Sequence, residues 1–126
     1  MKEIMGIIRL NKVNVTKEAL TEAGFPSITC RKVLGRGKKS LDQLSKELID
    51  AHLGTASGFS EAFSEGTRLI AKRFFNLIVK DEEVEEAVKI IIEANKTGTS
   101  GDGKIFIIPI EDVYRVRDGQ NGEEVV

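Results

Sequence analysis

Apolar positions along the chain fall into two matching runs, each strand-like, then helix-like, then strand-like again. Glu3–Leu10 is mostly apolar and β-branched, which predicts a buried first strand. Ala19, Leu20 and Ala23 recur at helical spacing and predict a helix over Thr16–Ala23, with Asn14 or Thr16 as N-cap and Gly24 as stop. Phe25-Pro26 then turns the chain into a second strand, Ser27–Leu34. The order returns with a strand over Arg73–Lys80. Asp81 follows as a helix N-cap, with Glu82 and Glu83 in the first turn, where the helix dipole favours negative charge. Val84, Ala87, Val88, Ile91 and Ile92 form the apolar stripe of that helix, and Lys96 precedes Gly98 as its stop. Lys104–Ile110 is a fourth strand, which Pro109 places at a sheet edge or a bulge.

Strand–helix–strand repeated twice implies an α+β, ferredoxin-like sandwich in one domain spanning residues 1–126. The connection between the halves, Gly37–Ala71, is far longer than the few residues expected between elements. Leu41, Leu44, Leu48 and His52 follow helical spacing within it. The stretch Gly54–Gly66 (G-T-A-S-G-F-S-E-A-F-S-E-G) sets Phe59 and Phe63 one helical turn apart, as candidate partner-binding positions.

Composition narrows the function classes. With 40% hydrophobic and 31% charged residues the chain is ordinary for a globular domain. No apolar run approaches the ~18 residues of a membrane span, so no membrane insertion is expected. One cysteine (Cys30) and one histidine (His52) exclude a disulfide framework and a zinc cluster. A net charge of −1 excludes a globally basic nucleic-acid binder, yet residues 1–40 hold nine Lys/Arg against three Glu. Five of those cations fall in Arg31–Lys39, R-K-V-L-G-R-G-K-K, which contains no acid. That run reads either as a solvated strand end or as a phosphate-facing patch.

Gly98–Lys104 reads G-T-S-G-D-G-K and fits the letters of a Walker A loop. The mechanism does not fit. Ile105 stands where the magnesium-binding Ser/Thr belongs, and the loop follows a helix and enters a strand instead of the reverse. The physical content survives, because Thr97, Gly98, Ser100, Gly101 and Gly103 offer backbone amides and Lys104 a cation to a polyphosphate. Arg115 and Arg117, two residues apart in Y-R-V-R-D-G, would project to one face of a strand and suit bidentate phosphate contact.

On these residues the chain resembles the PII signal-transduction family. Thr97–Phe106 looks like that family's B-loop, Gly35-Arg36-Gly37-Lys38 like the entry to its T-loop, and Arg115-Val116-Arg117 like its C-loop arginine pair. The resemblance implies a cytoplasmic, non-enzymatic regulator, a homotrimer or a mixed assembly with a second PII-like protein, with ATP or ADP in clefts between subunits. It implies that Thr97, Gly98, Gly101, Asp102, Gly103 and Lys104 surround the phosphates, with Arg115 and Arg117 reaching them from the adjacent subunit. Gly35, Gly37 and Lys38 would line the cleft from the T-loop side, residues 37–71, and Thr29 would lie near the adenine.

Lys72 matches the lysine that pairs with a 2-oxoglutarate carboxylate. Where the family carries a glutamine bound to magnesium, this chain has Lys39, which cannot ligate a metal while charged and offers a cation to a phosphate or carboxylate instead. The T-loop tyrosine uridylylated in many bacterial members is absent, since the one tyrosine is Tyr114. The long loop and the segment Gly58–Arg73 look closest to the nitrogenase-associated branch of archaea and anaerobic bacteria. There, PII-like proteins switch nitrogenase off when fixed nitrogen is plentiful and 2-oxoglutarate relieves the inhibition. Other targets, such as an ammonium transporter, fit the same loop.

Two other classes share the split βαβ plan. An acylphosphatase-like hydrolase needs an arginine-bearing phosphate cradle after the first strand, and Leu10-Asn11-Lys12-Val13 has no glycine for one. An RNA-binding module needs stacking aromatics in a Lys/Arg-Gly-Phe-Gly-Phe pattern, which Phe74, Phe75 and Phe106 do not supply.

Overall fold

The structure, a computed structural model, describes residues 1–37 and 68–126. Lys38, Lys39, Phe59, Phe63 and the helical spacing from Leu41 to His52 therefore lie outside the described residues. The chain divides into two compact units, Met1–Val33 with Ala71–Val126, and Leu34–Ile70.

Four strands and two helices alternate as the apolar pattern predicts: β1 (Lys2–Arg9), α1 (Val13–Glu22), β2 (Thr29–Gly35), β3 (Ile70–Val79), α2 (Val84–Asn95) and β4 (Lys104–Pro109). The sheet order is β2-β3-β1-β4, with β1 antiparallel to both β3 and β4. This is the ferredoxin-like arrangement. β4 is an edge strand and ends on Pro109, which has no N–H to offer a further ladder.

The period-2 alternation of β1 and β3 decides which face is covered. Ile4, Gly6 and Ile8 of β1 and Phe75, Leu77 and Val79 of β3 are buried, and Leu20 of α1 and Ala87 and Ile91 of α2 close over them. Each large apolar side chain so enclosed contributes about 1.5–3 kcal/mol. Gly6 is opposite Phe75 in register, and a Cβ on it would stand 2.3 Å from the Phe75 ring carbon Cε1. Only glycine lets that ring lie flat on β1. The other face stays open, with Met5 and Ile7 half-buried beside Phe106 and Ile108, which are 42% and 38% exposed.

The element ends differ from expectation for local reasons. α1 starts at Val13, directly after a 3₁₀ turn at Leu10–Lys12, and neither Asn14 nor Thr16 caps it. Thr16 is buried instead; its hydroxyl donates to the Lys12 carbonyl at 2.7 Å and accepts from the Asn95 amide at 2.9 Å, tying α1 to α2. Asp81 does not cap α2 either. It opens a 3₁₀ turn, Asp81–Glu83, and pairs with the Met1 ammonium at 2.8 Å, while the Glu83 carboxylate accepts the Lys80 N–H at 2.8 Å. β3 begins at Ile70 instead of Arg73, so Lys72 is its third residue.

Candidate functional site

The segment between α2 and β4 is a closed loop built around one carboxylate. Asp102 accepts the backbone N–H of Thr97 at 2.8 Å and of Gly98 at 3.0 Å, the Thr97 hydroxyl at 2.5 Å, and a guanidinium N–H of Arg9. These donors, Thr97 first, hold its carboxyl well below the usual carboxylate range against the opposing cost of desolvation. The loop is therefore anionic at its centre at neutral pH.

Two cations from the sheet grip the loop from outside. Arg9 and Lys72 are direct partners in the β1–β3 ladder. Beyond its ion pair with Asp102, Arg9 donates to the Ser100 carbonyl at 3.0 Å and the Thr99 hydroxyl at 3.2 Å. Lys72 Nζ donates to the Gly101 carbonyl at 3.1 Å. Gly103 passes so close to β1 that a Cβ would lie 2.1 Å from the Ile7 carbonyl oxygen, and its φ is +123°. No other residue type fits there. Gly101 is likewise left-handed, at φ +97°.

Lys104, the first residue of β4, is exposed and has no ion-pair partner among the described residues. Beside it a groove of about 420 Å³ runs between α2 and β4, walled by Val88, Ile92, Ile105 and Ile107. The buried Asn95 lines its floor, with its carbonyl oxygen unpartnered. A loop with three left-handed glycines, a lysine without an ion-pair partner among the described residues and an apolar groove together fit a ligand that carries phosphate on an apolar body.

The structure thus gathers Thr97, Gly98, Gly101, Asp102, Gly103 and Lys104 in one loop. Asp102 and the Thr97 and Gly98 amides are spent inside it, which makes them its scaffold; the N–H groups that follow and Lys104 remain for a ligand. Thr29 is exposed at the start of β2. Gly35 ends β2 and Gly37 is the last described residue of the first described stretch, both within the second unit. Of the basic run, Arg31 stacks on the Phe74 ring, 4.7 Å from its centroid, and so is committed to packing.

Arg115 and Arg117 do not lie on a strand. Tyr114 bridges Asn121, and between them Arg115–Asp118 forms a turn closed by the Gly119 N–H on the Arg115 carbonyl at 2.8 Å. The two arginines therefore do not share a strand face. Arg115 is clamped to Asp118, whereas Arg117 is 76% exposed. Asp118 and Gly119, a turn-forming pair, are the signal that overrides the strand reading. Arg9 escaped sequence reasoning altogether. Its only signal is a cation ending a strand, and that is commonplace on surfaces.

The family model for nitrogen regulatory protein P-II matches residues 1–120. The chain belongs to the P-II family. It is 42% identical over 127 residues to the "nitrogen fixation nifHD region GlnB-like protein 2" of Methanobacterium ivanovii, covering 100% of this chain and 99% of that one. It is 40% identical over 126 residues to the protein of like description from Methanosarcina barkeri, covering 98% and 97% of the two chains. The crystal structure of Arabidopsis thaliana PII bound to citrate superposes with a TM-score of 0.69 at 28% identity, covering 98% of this chain and 86% of that one. P-II proteins are regulatory signal proteins. Among the described residues, no helix is long and apolar enough to cross a membrane and no cluster of acids, His or Cys could hold a metal ion.

Proposed function

We propose that this P-II protein is a cytoplasmic regulator of nitrogen fixation that reads ATP or ADP. The observation that carries the reading is the Gly98–Lys104 loop, turned by left-handed glycines around Asp102, with Lys104 at its end free of an ion-pair partner among the described residues. The Gly101 and Gly103 region and Lys104 would hold the phosphates, and Arg115 and Arg117 would reach a neighbouring subunit's nucleotide. The nucleotide, when bound, supplies charge for the protein to recognise; no bond is made or broken in this role.

Residues 37–71 would act as the effector segment, with Phe59 and Phe63 as partner contacts and Lys38 and Lys39 at its base. A ligand changes that segment only to the extent that it prefers one of its conformations over another. The nifHD-region descriptions of these relatives favour nitrogenase as the target over an ammonium transporter. A dicarboxylate effector, 2-oxoglutarate, is supported by Lys72 and Lys39 and by the citrate-bound plant PII. Lys72 would first have to leave the Gly101 carbonyl. A homotrimer, or a mixed assembly with a second PII-like protein, is supported by the uncovered apolar face of the sheet, which needs a partner surface.

The test is a pull-down of nitrogenase components on the immobilised protein, with ATP or ADP and with or without 2-oxoglutarate. Capture released by 2-oxoglutarate is expected. Capture of an ammonium transporter instead would select the alternative target, and no nucleotide-dependent capture would reject the effector role.

A further inference from the structure

We infer that Arg9 is a positioning residue for the phosphate loop, acting through Asp102 instead of touching the ligand. This deepens the nucleotide reading and rests on it. Four acceptors of one loop converge on a single guanidinium: the Asp102 carboxylate, the Ser100 carbonyl at 3.0 Å, the Thr99 hydroxyl at 3.2 Å and the Thr97 hydroxyl at 3.4 Å. Such a fan of contacts matches the fixed fork of an arginine and exceeds what a lysine can span.

The cost of this arrangement shows that it is built. Arg9 and Lys72 are like charges directly opposite each other on neighbouring strands, a pairing that destabilises a sheet unless acceptors neutralise it. The loop supplies those acceptors, with Lys72 on the Gly101 carbonyl and Arg9 on the rest. Gly101 leaves room for both: a Cβ there would lie 3.3 Å from an Arg9 terminal nitrogen and 3.6 Å from Lys72 Nζ. Asp102 in turn draws the Thr97 and Gly98 amides inward, which fixes the direction of the N–H groups that follow. Arg9 thus sets the loop's shape before any ligand arrives, so less ordering remains to be done on binding.

The discriminating experiment is a double-mutant cycle on the full chain with Arg9→Gln and Asp102→Asn, read by ATP and ADP calorimetry. It is paired with amide hydrogen exchange of the ligand-free proteins. Arg9→Gln alone is expected to weaken both nucleotides by roughly tenfold, and to weaken them little further in the Asp102→Asn background. Exchange at Thr97 and Gly98 is expected to speed up by at least about tenfold in Arg9→Gln, with Arg9→Lys intermediate. Equal losses in both backgrounds would mean that Arg9 contacts the ligand itself, and unchanged exchange would mean that it does not order the loop; either overturns the inference. If the wild type binds no nucleotide, the nucleotide reading fails, while the exchange data still decide the role of Arg9. A thermal melt of each variant separates these effects from unfolding.

Discussion

Arg115 and Asp118 form a two-pronged ion pair across a tight turn, with Arg115 Nε 3.0 Å from both carboxylate oxygens and Nη2 2.6 Å from one of them. Gln120 also accepts from this guanidinium. The arginine assigned to a neighbour's phosphate is thus already held by a carboxylate of its own turn. A phosphate must displace that carboxylate to reach it, so Asp118 competes with the ligand. Asp118→Asn is expected to tighten ATP binding by about two- to fivefold, since a charge-assisted contact is exchanged for a weaker neutral one. Calorimetry checks it, and weaker binding would instead make Asp118 a support that aims Arg115.

The Gly6–Phe75 contact makes a prediction about the fold alone. Gly6→Ala forces a methyl into the Phe75 ring and is expected to cost about 1–3 kcal/mol, as overpacking of a tight core does. Phe75→Leu in the same chain should recover much of that loss. Chemical denaturation of the two single variants and the double variant measures the coupling, and additive losses would contradict the close approach.

The strands were legible because β1 and β3 are mostly apolar runs rich in β-branched and aromatic residues, and the phosphate loop was legible because its glycines and lysine lie close together in the chain. What escaped is what depends on distant partners. Arg9 becomes a site residue only because β1 runs beside β4 and brings its end under a loop some ninety positions later, at Asp102. Thr16 suited an N-cap by composition, yet it is consumed by Asn95 of α2. Arg115 and Arg117 suited a strand by spacing, and the Asp118-Gly119 turn rearranged them.

Acid should unpick the loop and the turn. The Asp102 and Asp118 carboxyls both titrate below the ordinary carboxylate value in the folded chain, so there the folded state binds fewer protons than the unfolded one. The stability they contribute is complete above roughly pH 4 and is lost as pH falls from there toward the lowered values. Melting temperatures measured from about pH 7 to about pH 2.5 are expected to be flat at first and then to fall, with a shallower fall in Asp102→Asn. An identical acid limb in that variant would remove Asp102 from the explanation.

The open sheet face tests assembly. Phe106 is 42% exposed with Ile108 beside it on β4, and Phe106→Asp would place a charge in any interface that covers them. Light scattering is expected to show a trimer for the wild type and a monomer for this variant at the same concentration. A wild-type monomer, or a variant of unchanged mass, would contradict assembly through this face.

The loop's assignment as a phosphate seat rests most directly on Lys104. Calorimetric titration of ATP and ADP into the wild-type protein and Lys104→Ala is expected to show micromolar binding that weakens by at least about tenfold in the variant, a change of about 1.4 kcal/mol. Equal affinity in both proteins, or no binding to the wild type, would contradict it.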